Sequence, residues 1–132
     1  MVKPSVLVTR RWPAAVEAQL AESYNTVLNT GDKPMSPAEI RDALKKYDAV
    51  LPTVTDTLSA EALDVPAAQT KILANYGVGY SHINESAARD LGMTVTNTPD
   101  VLSECTADLA MTLLLMAARR AGEGERELRA GG

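Results

Sequence analysis

Few side chains in this sequence could carry chemistry, and they stand apart from one another. His82 is the only histidine and Cys105 the only cysteine. A lone histidine can serve as a base, but no acidic residue stands at a fixed spacing from His82, so a structural or solvent-facing role is its first reading. Cys105 falls two residues after Ser103, an expected helix cap, where the helix dipole could lower a thiol's pKa. No histidine is near it in sequence, and inert burial is expected. One cysteine and one histidine exclude a disulfide framework and a metal cluster alike. Arg10 and Arg11 close the first expected strand, where they could attract a carboxylate or simply form a solvated charge pair.

The remaining candidate is backbone rather than side chain. The apolar run Ile72-Leu73-Ala74 stops at Asn75 and Tyr76 and gives way to Gly77-Val78-Gly79. Glycine on both sides of Val78 relieves the Cβ limits on φ, so successive N–H groups can converge on a small anion. The turn falls at the carboxyl end of a strand, where open α/β sheets bind their ligands. A plain tight turn is the alternative reading. The pair is no dinucleotide fingerprint: His82 occupies the third glycine position of G-x-G-x-x-G, and after Gly122 and Gly124 that position is Glu127.

The elements that must position this turn are legible from pattern. Residues 5–9, 24–28, 48–52, 72–74 and 93–96 read as strands, the first a run of β-branched and aliphatic residues without alternation, as in a parallel sheet covered on both faces. Pro13 suits a helix start, with Val16, Leu20 and Ala21 recurring on one face. Ser36-Pro37-Ala38-Glu39 is a capping box opening a helix to about Lys45. Residues 59–63 read as a short serine-capped helix, and Asn84 caps another that Gly92 closes in a left-handed conformation. Ser103 is expected to cap a long helix to about Arg120, apolar almost all round and therefore buried on most faces. Strand and helix alternating five times imply a flavodoxin-like, three-layer, five-stranded parallel sheet with right-handed crossovers. A phosphorylatable receiver shares that architecture, but its acidic positions hold Arg10, Arg11, Leu51 and Pro52 here.

Composition sets the outer bounds. The 132 residues are 45% hydrophobic and 23% charged, which suits one globular domain or part of something larger. A formal charge of −4, with basic residues scattered, argues against nucleic-acid or acidic-membrane partners. The longest apolar stretch, residues 109–118, is half of the ~20 residues a bilayer crossing needs. With no signal-peptide pattern at the start, a cytoplasmic location is the expectation.

Three words along the chain, N-Y-G-V-G-Y-S-H-I-N (75–84), T-N-T-P-D-V-L (96–102) and T-A-D-L-A-M-T-L-L-L-M-A-A-R-R (106–120), resemble the D-isomer-specific 2-hydroxyacid dehydrogenases, most closely their glyoxylate/hydroxypyruvate reductase branch. V-T-R-R-W-P (8–13) and D-A-V-L-P (48–52) are similar more loosely. The resemblance implies a substrate-binding flavodoxin-like domain over residues 1–100, an interdomain and dimerisation helix over 101–121 that begins a coenzyme domain, and a tail over 122–132. It implies that the N–H groups of Val78 and Gly79 hold the carboxylate of a small 2-oxo or 2-hydroxy acid, that Leu51 lines the pocket beside it, and that Thr106 sits near the nicotinamide of NAD or NADP. The family's glycine fingerprint, substrate arginine and Glu-His pair would lie beyond Gly132, so this chain alone is expected to hold no catalytic residue, no tightly bound cofactor and no metal. Asn84 stands where the family usually has aspartate. The competing expectation is a stand-alone, non-catalytic flavodoxin-like module that binds or assembles.

Overall fold

The computed structural model of the protein describes residues 2–132, which divide into two compact units, Met1–Thr98 and Pro99–Gly132. The first unit is built on five short strands: β1 (Ser5–Val8), β2 (Asn25–Leu28), β3 (Ala49–Leu51), β4 (Ile72–Ala74) and β5 (Thr94–Thr96). Every neighbouring pair is parallel, as expected, and the order is β2-β1-β3-β4-β5, which is that of flavodoxin-like sheets. Residue alternation sorts the side chains onto two faces. Leu7, Val50 and Leu73 point to one face, where Ile40, Ala43 and Leu44 of helix α2 (Pro37–Lys46) and Ala88 of helix α3 (Glu85–Asp90) complete the main core. Val6, Val8 and Leu51 point to the other, beneath Trp12 and Leu20.

The second face is covered only in part. Helix α1 (Ala14–Ser23) lies on that side with Val16 and Leu20 half-buried, whereas Ala21, expected on its inner face, is exposed. Beyond its reach Ile72 remains 41% exposed. An apolar groove of about 340 Å³ follows, lined by Val6, Leu20, Tyr24, Leu51, Ile72 and Ala74 among others. On the main-core face the expected alternation of strand and helix fails between β3 and β4, where residues 59–63 form a single turn: Ser59 accepts from the N–H of Leu63 through its carbonyl and of Ala62 through its hydroxyl, and only one three-residue turn bond, Asp64 N–H to Glu61 O at 3.3 Å, follows. One turn gains a single hydrogen bond for several fixed dihedrals and does not propagate on its own. The stretch before it is held to the chain beyond β4 by isolated parallel bridges Thr53↔Tyr76 and Leu58↔Ile83, and Ala62, Leu63 and Val65 pack into the main core.

Local signals elsewhere behave as expected. The Ser36 hydroxyl accepts from the Glu39 N–H at 3.3 Å, and the Glu39 carboxylate accepts from the Ser36 N–H at 2.8 Å. Asn84 accepts from the Ala87 N–H at 3.0 Å, so asparagine caps α3 without a charge. Gly92 takes φ +72° just after it.

The second unit holds helix α4 (Ser103–Ala118) and helix α5 (Ala121–Arg129). Four expectations change here. Leu102, not Ser103, is the cap residue of α4, because the Leu102 carbonyl accepts the first helical bond from Thr106; Ser103 is already helical and caps nothing. Arg120 has φ +53° and breaks the helix two residues early. Residues expected as a tail form α5, whose exposed surface is tied by Arg129–Glu125 and Arg120–Glu123 pairs. Cys105 is exposed rather than buried, its thiol 3.2 Å from the Leu102 carbonyl, because no residue of α4 is buried at all. No described helix is long and apolar enough to cross a membrane.

Candidate functional site

The turn after β4 is the place where the structure concentrates unbonded polar groups. Its carbonyls are all engaged. Gly77 O accepts from Thr98 N at 3.0 Å and from Asn75 Nδ2 at 3.1 Å. Val78 O accepts from Asn97 Nδ2 at 2.9 Å, Gly79 O from Asn75 Nδ2 at 3.0 Å, and Tyr80 O from Ile83 N at 2.9 Å. None of the N–H groups of residues 77–80 has an acceptor among the described residues. Val78 is half-buried and Gly79 exposed, so these donors lie at the surface of the unit. A row of backbone donors without acceptors is what an anion site requires.

The glycines serve this turn differently from expectation. Neither Gly77 nor Gly79 has a positive φ, so left-handed freedom is not what they supply. A Cβ on Gly77 would lie 2.6 Å from Val54 Cγ1 and 3.4 Å from Asn75 Nδ2, so the bare backbone is needed for close approach of the 52–58 segment. A Cβ on Gly79 would meet nothing within 4 Å. The space in front of Gly79 is open.

Around the turn lies a polar cluster at the carboxyl end of the sheet. Asn75 is 3% exposed and also faces His82, whose Nε2 lies 3.0 Å from Asn75 Oδ1. Burial of the imidazole lowers the His82 pKa, partly opposed by the charge of Asp56. Asp56 is itself buried: one carboxylate oxygen accepts from the Thr9 hydroxyl and from Thr53 N at 2.9 Å, and the other has no partner. Thr9 also donates its N–H to the Leu51 carbonyl at 3.2 Å, so Asp56 ties together the ends of β1 and β3. Trp12 packs on Tyr76 with ring centroids 4.9 Å apart.

The two arginines are engaged. Arg10 bonds Asp32 at 3.0 Å and the Thr55 hydroxyl at 2.6 Å, and Arg11 lies 3.6 Å from Glu17. The Asp32 carboxyl is held below its ordinary range, first by the Arg11 N–H and then by the Arg10 guanidinium. Among the described residues no cluster of histidine, cysteine and carboxylates could hold a metal.

Of the residues expected at the site, Val78 and Gly79 stand side by side in the turn. Leu51 is buried in β3, and its side chain lines the apolar groove on the α1 side of the sheet, with none of residues 77–80 in that lining. Thr106 is an exposed residue of the first turn of α4, in the second unit. Asn75, Asn97 and Asp56 were not singled out by sequence reasoning. The available signal for Asn75 was its position: a polar residue ending an apolar run and two places before a glycine.

Comparison with known proteins identifies the lineage of this arrangement. Residues 6–124 match the family described as D-isomer specific 2-hydroxyacid dehydrogenase, catalytic domain. A glyoxylate reductase of Korarchaeum cryptofilum is 39% identical over 130 residues, 98% of this chain and 39% of that protein. A glycerate dehydrogenase of Hyphomicrobium methylovorum is 35% identical over 129 residues, 98% of this chain and 40% of that protein. Among solved structures, an NAD-binding D-isomer specific 2-hydroxyacid dehydrogenase from Polaromonas sp. superposes with a TM-score of 0.76 at 35% identity, covering 99% of this chain and 41% of the other. The chain thus spans about two fifths of the length of the curated relatives it matches. The fold, the glycine turn at the end of β4 and these matches agree: the chain belongs to the D-isomer specific 2-hydroxyacid dehydrogenases.

Proposed function

We propose that this chain is the acid-binding part of an NAD(P)-dependent oxidoreductase that reduces a small 2-oxo acid, glyoxylate or hydroxypyruvate, to the D-2-hydroxy acid. The observation that carries this reading is the turn over residues 77–80, with every carbonyl engaged and every N–H without an acceptor. A carboxylate is the ligand such donors suit, because charge-assisted bonds to N–H groups are stronger than neutral ones. The names of the relatives favour a two- or three-carbon acid. In this reading Val78 and Gly79 donate to the carboxylate, Leu51 forms a wall of the pocket in the complete protein, and Thr106 lies near the nicotinamide.

The residues described do not fit a dinucleotide. Gly122 and Gly124 lie within helix α5 rather than between a strand and a helix, and the turn after β4 lacks the third glycine. The reading therefore assigns hydride transfer and proton donation to sequence outside these 132 residues, and neither NAD nor NADP is preferred. The domain division at about residue 100 and a homodimer formed through residues 103–120 belong to the same proposal. The exposed leucines of α4 support the latter.

The test is Gly79→Ala in the full-length protein. A Cβ there has room in the folded unit, so the variant should fold as the parent does. It should raise the KM for glyoxylate about tenfold by intruding on the carboxylate, roughly the worth of one charge-assisted hydrogen bond. An unchanged KM would reject the turn as the acid site. Acid binding without turnover with either NADH or NADPH would favour a non-catalytic module, a reading the exposed surface of α4 also suits.

A further inference from the structure

The bonds that engage the turn's carbonyls also determine where its N–H groups point. Every described peptide bond is trans, and in a trans peptide the carbonyl of one residue and the N–H of the next point in opposite directions. Fixing Gly77 O therefore orients the Val78 N–H, fixing Val78 O orients the Gly79 N–H, and fixing Gly79 O orients the Tyr80 N–H. Two side-chain amides do most of the fixing. Asn75 Nδ2 uses both its hydrogens, on Gly77 O at 3.1 Å and Gly79 O at 3.0 Å, and Asn97 Nδ2 donates to Val78 O at 2.9 Å. Because both Asn75 donors face carbonyls, its Oδ1 can only accept, and the group 3.0 Å away is His82 Nε2. That bond requires the proton on Nε2 and opposes a flip of the amide, which would set an oxygen against two carbonyl oxygens.

We propose that Asn75, Asn97 and His82 are positioning residues of the acid site: Asn75 aims the Val78 N–H, Asn97 aims the Gly79 N–H, and His82 fixes which way round the Asn75 amide sits. The proposal rests on the reading of the turn as a carboxylate site. It gives the single histidine a task that is neither acid–base catalysis nor metal binding. The assignment survives protonation of His82, since an imidazolium still donates from Nε2; Asp56 is the acidic group that acts on the ring.

The experiment uses the full-length protein, with two readouts. The first is the amide resonances of Val78, Gly79 and Tyr80 without ligand. The second is the KM and kcat for glyoxylate. Asn97→Ala should shift the Gly79 amide and leave that of Val78 in place, while Asn75→Ala should shift Val78 and Tyr80. Each should raise KM about tenfold with kcat changed less than about threefold, because the carboxylate is bound equally in ground and transition states. His82→Leu should raise KM in the same way, and His82→Gln, which keeps a donor N–H, should restore it. Asn97 is only half-buried, so its variant provides the answer should Asn75→Ala not fold. If the parent protein shows no saturable dependence on glyoxylate while the amides shift as described, the carboxylate reading falls and this role falls with it. If the parent binds normally and Asn97→Ala and His82→Leu leave KM unchanged, the positioning role alone is overturned.

Discussion

Helices α2 and α4 are both good helix-forming sequences, yet they are completed in opposite ways. In α2 a narrow apolar stripe, Ile40, Ala43 and Leu44, is buried in the core while Arg41, Asp42, Lys45 and Lys46 lie on other faces. Its N-terminus is closed by a reciprocal capping box, and Lys45 and Lys46 oppose the dipole at its end. In α4 the apolar residues encircle the helix, none is buried, the cap has no side-chain bond, and no basic residue stands in the last turn. Leu44 is 0% exposed and Leu114 61%. A helix whose burial is supplied by its own chain needs one face and explicit ends. A helix that is apolar all round has no face of its own to leave in water, which is the ground for the homodimer proposed above.

This contrast can be broken by mutation, and the largest expected effect is in the core. Leu44→Ala should lower the unfolding free energy by about 2–5 kcal/mol in urea titration, whereas Leu114→Ala should change it by less than about 0.5 kcal/mol in a monomeric sample. A large cost at Leu114 would mean that α4 is already packed in an assembly, and sedimentation velocity with Leu114→Glu would then show dissociation. Capping is the next level. Ser36→Ala removes a bonded cap and should cost about 1 kcal/mol, while Ser103→Ala, at a position without a capping bond, should cost no more than a few tenths of a kcal/mol. Equal costs would show that Ser103 caps α4 in solution after all.

The smallest effect is in acid. The Ser36 hydroxyl and then the Ser36 N–H hold the Glu39 carboxyl below its ordinary pKa of 4.5. A carboxylate depressed on folding adds stability that is complete above its unfolded pKa and is lost as pH falls through the folded value. Between pH 5 and pH 3, urea midpoints of the parent should therefore fall more steeply than those of Glu39→Gln, which keeps the box without a titrating proton. Parallel curves would remove the box from the acid response.

What the sequence disclosed and what it hid divide along the same line as the two helices. The five strands were legible because unbroken runs such as Val6-Leu7-Val8 need two covered faces, and the caps at Ser36 and Asn84 because a cap is a contact within four residues. The turn was found, but for a reason the backbone does not bear out: Gly77 makes room for Val54, a contact across 23 positions that no local pattern announces. Asn97 escaped notice for the same reason, since it reaches Val78 across 19 positions, whereas the Asn75 bonds to Gly77 and Gly79 are local and depend on which way the chain turns where β4 ends. The helix expected over residues 59–63 stopped at one turn although Ala62 and Leu63 are buried in the core, and Pro66, which has no N–H to extend it, follows three residues later. The place of Leu51 beside the acid rests on the resemblance alone, and no local pattern told that its side chain lines the face of the sheet opposite the main core.

The partly bare face of the sheet has a consequence for anyone handling these 132 residues as a separate polypeptide. Ile72, Ala74, Leu51 and Leu20 border a continuous apolar groove in the folded state. Dyes such as anilinonaphthalene sulfonate are commonly taken to report loosened, molten chains when their fluorescence rises. On this polypeptide the same rise would accompany an intact near-ultraviolet circular dichroism signal, because the dye would be reading native architecture rather than its loss.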